Sequence, residues 1–210
     1  MLIHWLSLPF FAGKNLSIDF SHLCLVGVIG AGLATLAFRQ QKEKIISAWK
    51  KEKQQILVWA LGCLGFLIIT AMLLNFLAVL VSGAPAKKPL NQQMLEGQQT
   101  GDSSLWALIK AGFGIVIWAP LLEELIFRWL LFEAFGNNYL SVFLSSLAFG
   151  LAHYHGEASP AGIIVFLIYP IMGLAFAYTY RRKKNLIWPI ACHSLNNLVA
   201  FTFILVSLLK

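Results

Sequence analysis

Charge is what this chain has least of. Charged residues make up 12% of its 210 positions and hydrophobic ones 59%, whereas a soluble domain is about a quarter charged. That scarcity, with a mean hydropathy of +0.74, excludes an ordinary water-soluble domain and points to an integral membrane protein. Cysteine is also sparse. Cys24, Cys63 and Cys192 stand apart in apolar segments with no C-x-x-C spacing, which excludes a disulfide framework and reads as small buried hydrophobes. There is no H-E-x-x-H, no G-x-S-x-G serine elbow and no aspartate pair in an apolar run, so the commoner protease designs are excluded. No apolar–polar alternation of strand type competes with the long apolar runs, so the membrane-crossing segments should be helices and the class all-α.

Apolar runs of spanning or near-spanning length cover 22–38, 55–83, 104–135, 138–154, 160–180 and 185–208. The run 104–135 would be roughly 48 Å long as one helix, against a hydrocarbon core of about 30 Å. Pro120 interrupts it as a kink or as the start of a new half-helix. The net charge is +7 and the basic residues concentrate at 39–54 and in Arg181-Arg182-Lys183-Lys184. Such clusters in a membrane protein report orientation, not nucleic acid, and both should be cytoplasmic. They fall on one side only if 104–135 crosses once. Six crossings follow, with an external amino terminus, a basic cytoplasmic loop at 39–54 and an external linker near 87–102. The first twelve residues are apolar, too short to span comfortably and without signal-peptide features, and are expected to enter the interface. The chain divides into an amino-terminal membrane region, 1–103, and a carboxy-terminal core, 104–210.

The unusual feature is Pro120-Leu-Leu-Glu123-Glu124-Leu-Ile-Phe-Arg128-Trp-Leu-Leu. An ionised side chain near a bilayer centre costs about 2.5–3.5 kcal/mol, and such residues mark functional sites. Counted along helices from the cytoplasmic ends of their spans, Glu123 lies at roughly 18 Å, His153 at roughly 22 Å, and His193 and Asn197 at roughly 12 and 18 Å. Three separate segments thus carry polar groups to overlapping depths. Glu124 and Arg128 are i,i+4 and should pair. Glu123 points about 100° away from Glu124 and is the candidate general base. His153 reads equally as a satisfied buried imidazole. His193 and Asn197 share one helix face at i,i+4, as interhelical hydrogen-bonding residues also do. His155 and Glu157 belong to the outer boundary, and His4 and His22 to the interfaces; none is given chemistry.

Glu123-Glu124-x-x-x-Arg128, Phe149-x-x-x-His153 and His193-x-x-x-Asn197 occur in that order on successive polar-bearing spans. Together they resemble the CPBP family, the CAAX-prenyl-protease and bacteriocin-processing intramembrane peptidases also called Abi, over about 104–208. The resemblance implies a glutamate-type intramembrane endopeptidase needing no cofactor. Glu123 with His153 would activate water, His193 with Asn197 would stabilise the oxyanion, and Arg128 with Glu124 would hold the site in register, Glu124 also assisting catalysis. The implied partners are the lipid bilayer and a peptide or protein substrate, prenylated or leader-bearing. Two glutamates and two histidines also match zinc ligands by type, so a metal-dependent protease is the nearest rival. Proton-coupled transport and a non-catalytic membrane scaffold are the readings from other classes.

Overall fold

The computed structural model describes residues 20–83, 105–154 and 159–208, and every element among them is helical. Helix α1 runs Phe20–Ser82, at about 1.5 Å per residue far too long for one crossing, and its path breaks at Glu52 (φ −125°, ψ 15°). The basic stretch 39–54 is therefore helical on both sides of the break at Glu52, not the extended loop expected from its charge. It contains no glycine or proline and is dominated by Lys, Glu and Gln, all good helix formers. Beyond the break, Ile56, Ala60, Leu67, Leu74 and Ala78 are buried, a stripe at steps of four and seven that packs one side of α1 on its neighbours. Most side chains of the expected 22–38 span, and all of the amino-terminal interfacial segment, the 87–102 linker, His155 and Glu157, lie outside the described residues.

The run 105–135 is one continuous helical path in five pieces. These are α2 (Leu105–Phe113), a π-turn (Gly114–Trp118), α3 (Ala119–Glu124), a second π-turn (Leu125–Leu130) and α4 (Leu131–Phe135). Proline explains the first irregularity. In a regular helix Pro120 has no N–H to give and its ring collides with the carbonyl four residues back. Here the turn before it is widened, with the Ala119 N–H reaching Gly114 O. Gly136 (φ 80°) ends the path, and Asn138 caps the next helix, α5 (Tyr139–Ala152), by accepting from the Ser141 N–H. Ser159 caps α6 (Pro160–Phe166) in the same way through the Gly162 N–H. Helices α7 (Ile168–Lys183) and α8 (Ile187–Leu208) complete the bundle.

Helices α5 and α7 pack at close range because glycines face the contact. A Cβ on Gly173 would lie 2.9 Å from the Ser146 carbonyl oxygen, and one on Gly150 would lie 2.9 Å from Pro170 Cβ. Ser146 Oγ donates to Pro170 O at 2.6 Å across the same seam. Small residues and interhelical hydrogen bonds are the means by which helices associate in lipid, where apolar contact alone gives no preference.

Among the described residues, three stretches are long and apolar enough to cross a membrane: Phe38–Ser82, Pro160–Lys183 and Ile187–Val206; the apolar Tyr139–Ala152 is shorter. The protein is an all-α integral membrane protein. Asn185 Nδ2, in the α7–α8 turn, donates to Lys44 O at 2.9 Å, so the two basic stretches sit at one end of the bundle.

Candidate active site

The two irregular turns of 105–135 release carbonyls, and the released carbonyls organise the site. Because Ala119 N–H bonds Gly114 O, the Ile115 carbonyl loses its α-helical donor. Its donor in a π-turn would be residue 120, a proline with no N–H. Asn197 of α8 fills this gap, donating from Nδ2 to Ile115 O at 3.0 Å. At the second turn, Leu131 N–H goes to Arg128 O instead of Phe127 O, and Ser145 Oγ of α5 donates to Phe127 O at 2.6 Å. Buried carbonyls need partners, so each break in the helix becomes a tether to another helix. Glu123 and Glu124 lie between the two tethers.

Glu124 and Arg128 are both fully buried. Arg128 Nε stands 3.0 Å from Glu124 Oε2, the i,i+4 pair expected. The pair is close without hydrogen-bond alignment, and the Arg128 nitrogens have no hydrogen-bond partner among the described residues. The guanidinium is instead surrounded by rings, with Cζ 4.8 Å from the Phe149 centroid and 5.6 Å from that of Phe176, cation–π contacts that are strengthened by desolvation. The other oxygen of Glu124 accepts from His193 Nδ1 at 2.9 Å. That contact goes beyond the expected role of Glu124, because it ties the Glu124–Arg128 pair directly to an imidazole of α8.

His153 is the residue at which α5 stops (φ −103°, ψ 6°). Its Nδ1 bonds Phe149 O at 2.8 Å, satisfying one of the terminal carbonyls that a helix end leaves open. A carbonyl has no proton to offer, so Nδ1 is the donor and Nε2 points onward. His193 is arranged alike, with Nδ1 committed to Glu124. Both Nε2 atoms converge on one atom. Glu123 Oε2 lies 3.8 Å from His153 Nε2 and 3.8 Å from His193 Nε2, buried and without a hydrogen-bond partner among the described residues. The side chains of Glu123 and His153 are 18% and 16% exposed, against 3% for His193, so the cluster opens on the His153 side.

The structure thus brings Glu123, Glu124, Arg128, His153 and His193 into one connected cluster. Asn197 belongs to it through the backbone, its Nδ2 on Ile115 O and its Oδ1 3.4 Å from Asn196 Nδ2. With each imidazole neutral, Glu123 Oε2 and two bare Nε2 atoms are three acceptors facing each other. A water molecule has two protons to give, so the trio is fully satisfied by one water and one additional proton on an imidazole. Separations beyond 3.5 Å between polar atoms are those a water bridges. A neutral His193 therefore presents an acceptor, not the donor expected of it, and becomes a donor only when Nε2 is protonated.

Aromatic rings hold the imidazoles: Phe149 of the second motif, and two residues, Tyr169 and Phe176, that the sequence did not single out. Phe149 stacks on His153 (centroids 4.5 Å apart, 29°), Tyr169 covers its other neighbourhood (5.0 Å, 16°), and Phe176 stacks on His193 (4.8 Å, 23°). Tyr169 and Phe176 lie in an apolar helix with no periodic polar signal, so nothing local distinguished them from lipid-facing or core residues.

Residues 105–199, which contain every one of these site residues, match the family model described as type II CAAX prenyl endopeptidase Rce1-like. The chain is similar to the UPF0177 protein YajF of Lactococcus lactis, with 36% identity over 95 residues covering 44% of each chain. It is also similar to YdiL of Bacillus subtilis, with 34% identity over 94 residues, 43% of this chain and 34% of that one. A longer match, 31% over 157 residues, covers 70% of this chain and 58% of the membrane-embedded CAAX protease MroQ of Staphylococcus aureus. The chain spans less than half the length of the first two relatives. No solved structure matches it.

Proposed function

Since the chain belongs to the CPBP family through residues 105–199, we propose that it is an intramembrane endopeptidase in which Glu123 is the general base. The observation that carries this reading is the convergence of two histidine Nε2 atoms on one buried Glu123 oxygen, each at 3.8 Å. Peptide hydrolysis needs a base for water, donors for the tetrahedral oxyanion and an acid for the leaving amine. Water bound among the three atoms gives one proton to Glu123 and its oxygen attacks the scissile carbonyl. His153 Nε2 accepts the second hydrogen bond of that water and orients it. The additional proton, held at His193 Nε2, and the second N–H of Asn197 are donors for the oxyanion. The proton taken by Glu123 then passes to the departing amine, leaving a carboxylic acid and an amine as products.

Glu124 and Arg128 are positioning residues in this scheme. The Glu124 carboxylate fixes the His193 tautomer, and Arg128 balances the charge of Glu124 in a site closed by aromatic rings. The substrate is an extended peptide segment, carboxy-terminal or leader-type, that reaches the site near a membrane surface. The end of the bundle carrying 39–54 and 181–184 is assigned to the cytoplasm by its lysines and arginines. Residues 1–103 are assigned to a membrane region accompanying the catalytic core.

A metal-dependent protease is the second reading. Its support is that both Nε2 atoms are bare and backed by acceptors on Nδ1, as zinc-bound histidines are. Its ligands would be the same three atoms, Glu123 Oε2 and the two Nε2 atoms, so chelator separates the two readings. The test is cleavage of a panel of prenylated carboxy-terminal peptides and unmodified leader peptides by purified protein and by Glu123→Gln, with and without chelator. Cleavage lost in Glu123→Gln and indifferent to chelator supports the glutamate mechanism. Cleavage abolished by chelator and restored by Zn²⁺ overturns it. No cleavage of any peptide shifts weight to a scaffold or a proton-coupled transporter.

A further inference from the structure

An apolar groove of about 900 Å³ runs between α1 and α7. Its volume is within the range of about 300–1,000 Å³ typical of small-molecule sites. Gly62 and Phe66 of α1 and Leu174 and Tyr178 of α7 line its length, and Trp59, Trp188 and Lys183 close its basic end. Lys183 Nζ lies 3.9 Å from the Trp188 centroid and 4.6 Å from that of Trp59. Trp59 is fixed in turn, donating from Nε1 to Thr179 Oγ1 at 3.1 Å and meeting Trp188 edge-on. The ammonium is thus held at the mouth of an apolar groove, and no carboxylate pairs with it among the described residues.

Tryptophans, lysines and arginines gathered at one end of a bundle mark the membrane–water interface. From Gln54 at the mouth to Phe66 the groove follows α1 for roughly 18 Å, close to the depth of one leaflet, about half of a 30 Å hydrocarbon core. Exposed Lys50, Lys51 and Lys53 precede Gln54 in sequence, and exposed Arg182 and Lys184 adjoin Lys183, so this end of the bundle is positively charged. Length, depth and charge agree on one occupant. We propose that this groove is a binding site for a single anionic phospholipid, with its phosphate at Lys183 and one acyl chain along Gly62, Phe66 and Leu174. Gln54 and Gln55 at the mouth are donors for the glycerol and ester oxygens. The site borders the catalytic core, because Cys63 of the groove wall packs in the same cluster as Cys192 and Phe176 beneath the imidazoles.

A Cβ at Gly62 would meet nothing within 4 Å, and the same is true of Gly65, which does not line the groove. The test is native mass spectrometry of purified protein after equal loading with phosphatidylglycerol or phosphatidylcholine. Wild type is expected to retain one phosphatidylglycerol in preference to phosphatidylcholine. Gly62→Phe should lose that adduct and Gly65→Phe should keep it. Lys183→Gln should cut the phosphatidylglycerol preference about fivefold, the worth of one lysine beside an anionic surface. Equal retention of the two lipids by wild type, or phosphatidylglycerol occupancy unchanged in both Gly62→Phe and Lys183→Gln, would overturn the proposal.

Discussion

Helix α1 and the unit formed by residues 105–208 treat hydrophobicity in opposite ways. Only 17% of the most apolar window of Phe38–Ser82 is buried, against 33% in Pro160–Lys183. On α1, Leu61, Leu73 and Phe76 are about three-fifths exposed, a lipid-facing surface. Within 105–208 the fully buried side chains include Glu124, Arg128, Ser141 and Ser145. In water the hydrophobic effect would drive these two populations the other way round. In lipid it does not discriminate between a leucine touching another helix and one touching an acyl chain. What must be enclosed is the polar set, since each unsatisfied polar group in hydrocarbon costs several kcal/mol. The carboxy-terminal unit encloses its polar groups, and α1 packs on it through the buried stripe from Ile56 to Ala78 and through the Trp59–Thr179 and Asn185–Lys44 hydrogen bonds.

That contrast can be broken experimentally. The largest effect is expected at the open edge of the polar cluster, where Glu123→Gln should lower peptide hydrolysis by about 10²–10⁴-fold, the range for losing a general base. Its melting temperature should stay near wild type, because Glu123 Oε2 makes no hydrogen bond that the amide would forfeit. A coincident collapse of melting temperature would recast Glu123 as structural.

Next comes the closed part of the cluster. Glu124→Gln leaves the Arg128 guanidinium buried without its counter-charge, and should destabilise the fold by about 3–5 kcal/mol. Adding Arg128→Met should recover much of that loss, and a double-mutant cycle by chemical denaturation in detergent measures the coupling. If the double variant is no more stable than Glu124→Gln alone, the pair is not what holds these turns together.

The helix seam should respond more mildly. Gly173→Ala places a methyl against the Ser146 carbonyl, and overpacking of this sort costs about 1–3 kcal/mol. A thermal melt unaffected by the change would show that α5 and α7 have slack between them. The smallest effect belongs to the lipid face of α1, where Leu73→Ala should change stability by under about 0.5 kcal/mol, as surface substitutions do. A loss of several times that size would mean that the exposed side of α1 has a protein partner.

Much of the site was legible before folding was considered. Glu123, Glu124, His153 and His193 stood out because ionisable groups in apolar runs are expensive, and their overlapping depths followed from helix rise alone. The Glu124–Arg128 pair followed from i,i+4 spacing. Other features depended on contacts that no local pattern encodes. The stretch 39–54 reads as a loop by charge and as a helix by propensity, and propensity prevailed. Pro120 announced an irregularity but not its form. Whether a proline kinks a helix or widens a turn depends on what accepts the freed carbonyl, and here Asn197, 82 residues away from Ile115 in sequence, does so.

The sequence by itself determined an all-α membrane protein and the identity of its costly polar residues, because composition, period and the energy of charge in lipid are local quantities. Tertiary structure alone decided which nitrogen of each histidine faces Glu123, that Glu124 contacts His193 as well as Arg128, and that Phe176 and Tyr169 stack on the imidazoles. Those outcomes depend on which acceptor or ring a neighbouring helix presents within about 3–5 Å, the range of hydrogen bonds and ring stacking, and that range is reached only once the helices have packed.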